Sequence, residues 1–443
     1  MNDEVLILGA GRSGLAAARL LVSEGYAVTV ADRRPAEEMP ETVHRLSAWG
    51  VRLHLGRPGL PDGTYRLGVV SPGFAVDSDW VQALYAQAEE VRSELEVGWL
   101  RHGGRTVAVT GSNGKSTAVK WITESLQLAG RRAVAAGNYG YPACDAVREQ
   151  PQADWLVLEV SSFQLETAQS LRADIAYLTN IHPNHLDRHG SMDAYVAMKA
   201  RLFAHARADD VCFAPVAWRA RLAAESGGAG GWLTVGEPGG DYRTAQGVVS
   251  RDGRKVADFS GTLFAQPAMG DQAAAVAGIV ECAGIDPCHA VEAARRFTPL
   301  PHRVQPVGEI DGVRYVNDSK ATNLAAVAHA LRAVDGPVRL IAGGLAKEPD
   351  FRSLKELLEE RVQTVYLIGQ SAKRMCSDWS DAVPCVLSGS LEQAFRQASQ
   401  DACGGEVVLL SPGGASFDQF RDYEQRGERF VELVEERQQK GTS

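Results

Sequence analysis

The sequence predicts an α/β protein of three domains, and three features carry that prediction. A strand-like run, a glycine turn and an apolar helix occur near the start, where Val5 to Leu8 leads into Gly9-Ala10-Gly11-Arg12-Ser13-Gly14. The pattern returns where Thr106 to Thr110 leads into Gly111-Ser112-Asn113-Gly114-Lys115-Ser116-Thr117. Beyond the stiff Pro299-Leu300-Pro301 segment, a third set of short apolar runs alternates with helical stretches. At 443 residues the chain exceeds one usual core. Domains are expected at 1–98, 99–298 and 299–443.

In the first domain, the alanine-rich helix after Gly14 is followed by a strand, Ala27 to Ala31, that ends in Asp32. Gly-x-Gly-x-x-Gly plus a following acid is a dinucleotide fingerprint: backbone approaches a diphosphate and the acid faces ribose hydroxyls. A flavin or nicotinamide enzyme, another nucleotide diphosphate, or a packing role for the glycines would all fit it. A strand at Leu67 to Val70 leads into Ser71-Pro72-Gly73, and His102-Gly103-Gly104 marks the break before the second domain.

The second domain should hold strands at Trp155 to Val160 and Ile175 to Asn180, then β hairpins around the glycine-rich Gly227 to Gly240, and a closing helix from Asp271 to Ala283. The third should hold strands at Arg314 to Val316, Val338 to Ile341, Val365 to Ile368 and Val407 to Leu410.

Composition narrows the function classes. Apolar content of 45% and charged content of 23% describe an ordinary globular protein. A net charge of -9 argues against a nucleic-acid partner while leaving local basic sites for anions. The seven cysteines are scattered and form no Cys-x2-Cys pair, so neither a zinc site nor a disulfide framework is expected. The first strand starts almost at Met1 and no apolar run is long enough to span a bilayer, so a cytoplasmic protein without a membrane partner is expected.

The chemistry concentrates after strands. In the 111–117 loop, glycines let backbone N–H groups reach phosphate oxygens, Lys115 adds charge, and Ser116 or Thr117 can hold Mg²⁺. The helix expected from Ala118 to Leu128 points its positive end at the same anion. Val109 stands where the first glycine of a full P-loop belongs. Glu159 closes a strand in the same domain, where a carboxylate can ligate Mg²⁺; Ser161 and Ser162 could equally be helix caps. His182, His185, Asp187 and His189 share a loop. They could serve zinc, but the phosphate loop favours a hard-cation, ATP-linked site, with His182 and His189 on the surface. Asn317-Asp318-Ser319-Lys320-Ala321-Thr322-Asn323 suits ribose and phosphate contacts, and Ser416 is expected to open a helix whose N-terminus holds a carboxylate.

Taken in order, Gly111 to Thr117, Glu159 to Glu166 (Glu-Val-Ser-Ser-Phe-Gln-Leu-Glu), Asn184-His185-Leu186-Asp187-Arg188, His302-Arg303, Asn317 to Asn323 and Ser416-Phe417-Asp418-Gln419-Phe420 resemble the Mur ligase family along essentially the whole chain. The resemblance implies a Rossmann-like N-terminal domain, a central P-loop-type ATPase domain and a Rossmann-like C-terminal domain. It implies an enzyme that uses ATP to join D-glutamate to UDP-N-acetylmuramoyl-L-alanine through an acyl phosphate, working as a monomer. The N-terminal fingerprint then holds UDP: Ser13, Asp32, Arg33, Arg34 and Gly73 match uridine-diphosphate contacts, with Asn138 and Gln164 nearer the reacting end. ATP would be held by the 111–117 loop with Gln272, Arg303, Asp318 and Lys320. Two Mg²⁺ ions, or Mn²⁺ as an alternative, are implied: one on Ser116 and Glu159, one bridged by Glu159, His185 and a carbamylated Lys199. Without the resemblance Lys199 reads as an exposed helical residue. Lys115, His185, Lys199 and Lys320 are the implied catalytic group, and Thr322, Lys347, Ser416 and Tyr423 the D-glutamate pocket.

Three stretches depart from the family pattern. Ala268-Met269-Gly270-Asp271-Gln272 replaces His-Asn-x-x-Asn, Leu345 stands for an aspartate before Lys347, and His302-Arg303-Val304-Gln305 replaces His-Arg-Phe-Glu.

Overall fold

A computed structural model describes residues 3–345 and 350–441. The chain clusters into two compact units, one comprising Met1–Asn180 and Asp193–Arg296, the other Ile181–Met192 and Phe297–Ser443.

Two sheets lie in the first unit. Strands β1 (Glu4–Leu8), β2 (Ala27–Asp32), β3 (Arg52–Leu55), β4 (Tyr65–Val70) and β5 (Ala88–Ser93) form a sheet in the order β3-β2-β1-β4-β5. Every pairing in it is parallel. Val5, Leu6, Ile7 and Leu8 are all fully buried, as a central parallel strand covered on both faces requires. Gly14 is dictated by packing, because a Cβ there would lie 1.8 Å from the Gly9 carbonyl oxygen.

The second sheet has nine strands: β6 (Arg105–Thr110), β7 (Ala133–Gly137), β8 (Trp155–Glu159), β9 (Ile175–Leu178), β10 (Val211–Pro215), β11 (Gly231–Val235), β12 (Tyr242–Ala245), β13 (Val248–Arg251) and β14 (Arg254–Asp258). The order is β14-β13-β12-β11-β10-β9-β6-β8-β7. The expected hairpins are displaced. Gly231–Val235 pairs in parallel with β10, and the antiparallel pairs are β12–β13 and β13–β14. Their turns, Gln246-Gly247 and Asp252-Gly253, have positive φ at both residues, the geometry that suits a two-residue hairpin.

The first two sheets belong to one unit because the short Glu94–Trp99 helix ties them together. Glu94 accepts the Cys144 N–H at 2.7 Å, and buried Glu96 accepts the Gln169 N–H at 3.0 Å and the Ser170 hydroxyl at 2.8 Å. Gly98 allows the approach, since a Cβ there would sit 2.5 Å from the Ala143 backbone.

In the second unit, β15 (Gln305–Ile310), β16 (Val313–Asn317), β17 (Val338–Gly343), β18 (Val362–Ile368), β19 (Cys385–Gly389) and β20 (Val407–Gly413) run in the order β15-β16-β20-β17-β18-β19. Only the β15–β16 pairing is antiparallel. Alternate residues of one strand enter opposite cores. Val407 and Leu409 pack with Trp379, whereas Val408 and Leu410 pack with Phe395 and Phe430. Among the described residues no helix is long and apolar enough to cross a membrane.

Candidate functional site

The loop after β6 is a glycine turn clamped by the residues that follow β9. Gly111 has φ +139°, and a Cβ there would meet Thr179 Oγ1 at 1.9 Å. Because β9 stops at Leu178, Thr179 and Asn180 are left to clamp the loop. Thr179 Oγ1 donates to the Asn113 carbonyl at 2.7 Å, and the Asn113 and Ser112 N–H groups donate to Asn180 at 3.0 and 2.9 Å. Lys115 Nζ folds back onto the Gly111 and Ser112 carbonyls at 2.8 and 2.9 Å. The helix begins at Lys115 rather than Ala118, after Gly114 at φ +80°, so Lys115, Ser116 and half-buried Thr117 form its first turn. That places the N–H groups of a 14-residue helix over the loop. Gln272 Nε2 donates to the Gly114 carbonyl at 2.9 Å, so this amide does lie at the nucleotide loop.

Glu159 ends β8 beside that loop and is buried. Its carboxylate accepts the Ser116 hydroxyl at 2.6 Å and the Asn138 amide at 2.6 Å. Sheet order explains the meeting, because β6, β8 and β7 are neighbours and deliver Ser116, Glu159 and Asn138 to one edge. A carboxylate beside a serine hydroxyl is a hard-oxygen donor pair of the kind Mg²⁺ prefers. Gln164 is buried and takes part in a capping box, its Oε1 accepting the Ser161 N–H at 2.9 Å, so the capping alternative at Ser161 is realised.

Lys199 overturns the exposed-helix reading: it is 1% exposed, in the Met192–Ala200 helix. Its Nζ donates to the Gly111 carbonyl at 2.9 Å and lies 4.5 Å from the Tyr195 ring centroid. Burial, then the charge of Lys115, holds its ammonium well below the usual lysine range. The helix carries too few polar positions for its periodicity to flag this residue as inward-facing. Among the described residues no three His, Cys, Asp or Glu side chains cluster as a metal site.

At the first sheet, Asp32 is buried and accepts the Ala10 N–H at 2.8 Å, inside the glycine turn. It also accepts the Arg34 N–H at 2.9 Å and pairs with the Arg34 guanidinium at 2.9 Å. Burial would raise its pKa, yet the Arg34 side chain and the two N–H groups hold it below the usual carboxylate value. Exposed Arg33 lies over the stacked Phe74 and Trp80 rings, at 5.5 and 5.4 Å. Ser13 is half-buried in the first turn of the Arg12–Ser23 helix, and Gly73 opens to free space.

In the second unit, His185 sits at φ 56° before the short Leu186–His189 helix; His182 is exposed and His189 half-buried. Arg303 lies between two left-handed residues, His302 at φ 63° and Val304 at φ 45°. Both flanks grip the 317–323 turn: the Lys320 N–H donates to the His302 carbonyl at 3.0 Å, and the Val304 N–H to Asp318 at 3.1 Å. Asp318 is buried and accepts the Ser411 hydroxyl at 2.8 Å; burial pushes its carboxyl up to about 7. Lys320 Nζ lies 3.6 Å from the Tyr423 ring centroid, and Thr322 is half-buried nearby in sequence.

Ser416 is buried, but it opens a turn and not a helix. Its carbonyl accepts the Gln419 and Phe420 N–H groups at 3.1 and 2.9 Å, and the helix starts only at Tyr423. The Asp418 carboxylate accepts the Gln370 N–H at 2.9 Å, tying this turn to the chain just after β18. Lys347 lies outside the described residues. Leu345, at the departure before it, is 39% exposed and bridges to Ala415.

A mainly parallel sheet in which an inner strand, β6, delivers a lysine-bearing glycine loop to a carboxylate and a serine hydroxyl defines a nucleotide-using α/β enzyme. Three family descriptions match the chain: "Mur ligase MurD-like, N-terminal domain" over residues 3–93, "Mur ligase middle domain" over 109–265, and "Mur ligase, glutamate ligase domain" over 302–414. The UDP-N-acetylmuramoylalanine--D-glutamate ligase of Acidobacterium capsulatum is 37% identical over 98% of this chain and 96% of its own length. Its namesake from Pelotomaculum thermopropionicum is 35% identical over 98% and 97%. A solved UDP-N-acetylmuramate-alanine ligase from Thermotoga maritima shares the fold, with a TM-score of 0.62 at 16% identity over 98% of this chain and 99% of that one. The chain belongs to the Mur ligase family. The family and three-domain α/β architecture expected from the motifs are borne out.

Proposed function

We propose that this chain joins D-glutamate to UDP-N-acetylmuramoyl-L-alanine with conversion of ATP to ADP and phosphate. The observation that carries this reading is the meeting of Lys115, Ser116 and Glu159 at one sheet edge, in a chain near full-length similar to relatives of that name.

A carboxylate is a poor acylating agent because its leaving group would be oxide. An oxygen of the alanyl carboxylate attacks the γ-phosphorus and ADP departs, leaving an acyl phosphate. The D-glutamate nitrogen then attacks the acyl carbon, phosphate leaves with the bridging oxygen, and the nitrogen loses a proton. Lys115 leaves its loop carbonyls for the β/γ-phosphates and compensates charge as it develops. The N–H groups of Gly111 to Thr117 orient the triphosphate, with Gln272 steadying Gly114. Arg303, Asp318 and Lys320 contribute the second unit's ATP contacts, and Thr322, Ser416 and Tyr423 bind D-glutamate.

Asp32 and Arg34 hold the uridine-diphosphate end with Ser13, Arg33 and Gly73. Asn138 and Gln164 orient the muramoyl-alanine end. Ser116 and Glu159 would hold one Mg²⁺, and Glu159, His185 and a carbamylated Lys199 a second, with Mn²⁺ as an alternative. When bound, the ions neutralise phosphate charge. We place the domain limits at 98/99 and 298/299, and assign a cytoplasmic monomer.

The test is phosphate release with ATP, Mg²⁺, UDP-N-acetylmuramoyl-L-alanine and D-glutamate, omitting each in turn. Release that needs all four and rejects L-glutamate supports the reading. Turnover without the UDP substrate, or with another amino acid alone, overturns it.

A further inference from the structure

The second unit contains a buried cation for which the reaction so far has no use. Arg426, in the first turn of the Tyr423–Gly441 helix, is 1% exposed. Among the described residues no carboxylate forms an ion pair with it. Its acceptors are neutral. Nε donates to the Ser319 hydroxyl at 3.0 Å and Nη2 to the Ser319 carbonyl at 2.8 Å. Nη1 and Nη2 both donate to the Gly414 carbonyl at 3.2 Å.

Those acceptors belong to two separate turns. Ser319 lies between Asp318 and Lys320 after β16, and Gly414 lies two residues before Ser416 after β20. The helix start reinforces the first link, since the Ser319 hydroxyl donates to the Tyr423 carbonyl at 2.8 Å. Asp418 and Asp318 act on this guanidinium only through space; burying it without a direct ion pair is costly, and a structural cross-link alone could be made by an amide or a hydroxyl. What a planar guanidinium adds is a rigid fork that reaches two carbonyls at once.

We propose that Arg426 is a positioning residue for the ligase reaction, fixing the spacing between the Lys320 turn and the Ser416 turn through Ser319 and Gly414. The inference rests on the proposed ligase reading. Arg426 does not touch substrate; it sets where Lys320 and Ser416 stand when ATP and D-glutamate bind. Lysine in its place lacks that fixed fork and loses the bond to the Ser319 hydroxyl and the doubled bond to the Gly414 carbonyl, so it would hold the two turns less rigidly.

The test compares steady-state kinetics of Arg426→Lys with the native enzyme, together with the thermal midpoint and the folded fraction. The expected result is a folded variant whose kcat falls about 100-fold, as small misplacement of reacting groups produces, with KM for D-glutamate raised about 10-fold. KM for the UDP substrate, bound by other residues, stays unchanged. Arg426→Ala should regain activity with millimolar guanidinium chloride and not with ammonium chloride. A loss of kcat that only tracks the folded fraction, an unchanged KM for D-glutamate, or equal rescue by both salts would overturn the positioning role. A native enzyme without turnover would instead overturn the ligase reading and this inference with it.

Discussion

Lys115 and Lys199 donate to the same oxygen, the Gly111 carbonyl, at 2.8 and 2.9 Å. Two ammonium groups on one acceptor repel, and the buried one yields: Lys199 is the lysine whose proton is loosened, by burial first and by Lys115 second. Loosening that proton favours the neutral amine, the nucleophile that carbon dioxide requires, and so supports a carbamate at this position. The expected outcome is a ¹³C carbamate resonance when the protein is equilibrated with labelled bicarbonate, absent in Lys199→Arg. Turnover of that variant should fall by roughly 100- to 1,000-fold, the usual cost of losing an electrostatic partner in an active site. An unchanged rate would exclude a role for the carbamate.

Gly111→Ala should damage the phosphate loop more than its size suggests. The new Cβ would meet Thr179 Oγ1 at 1.9 Å, at a φ of +139° that side chains avoid. The backbone penalty is about 1–3 kcal/mol before any clash is counted. ATP affinity, read by calorimetry, should drop while UDP-substrate affinity holds. Adding Thr179→Ala should recover only the steric part.

Asp32→Asn is expected to raise KM for the UDP substrate about 10-fold, because the pairing that holds Arg34 beside the glycine turn is lost. The folded pKa of Asp32 is depressed, so its contribution to stability is present above the unfolded value near 4 and is lost as pH falls through the folded value. Native and variant proteins should therefore differ in thermal midpoint at pH 7 and converge in strong acid.

Glu94 behaves in the opposite sense. Full burial raises its carboxyl to about 7, despite the N–H of Cys144. The folded state then holds a proton that the unfolded state releases near pH 4.3, so this group lowers stability as pH rises from there to about 7. The slope for one proton is about 1.4 kcal/mol per pH unit at most. Glu94→Gln keeps an acceptor for Cys144 and should match the native melting curve at pH 4 while exceeding it at pH 8. Equal midpoints at both would show that Glu94 remains ionised.

Much of the fold and part of the site were legible in the residues themselves. Continuous apolar runs such as Val5 to Leu8 have few alternatives to buried parallel strands, and each glycine turn after them announces a ligand edge. The Asp252-Gly253 turn carried a hairpin signal, yet the glycines at 227–240 drew the hairpin expectation upstream. The placement of Lys115, Ser116 and Glu159 follows from local order, because strand, loop and helix fix where each side chain emerges. Local pattern could not show that Lys199 is buried, that Asp418 in the Ser416 turn holds Gln370, or that Arg426 spans two turns. Those facts depend on which strands become neighbours. Sheet order brings together residues far apart in the chain, and burial and pKa are properties of the neighbours so gathered. The sequence by itself determined the elements and the chemistry each could carry; the tertiary structure decided which side chains meet and which charges lose their water.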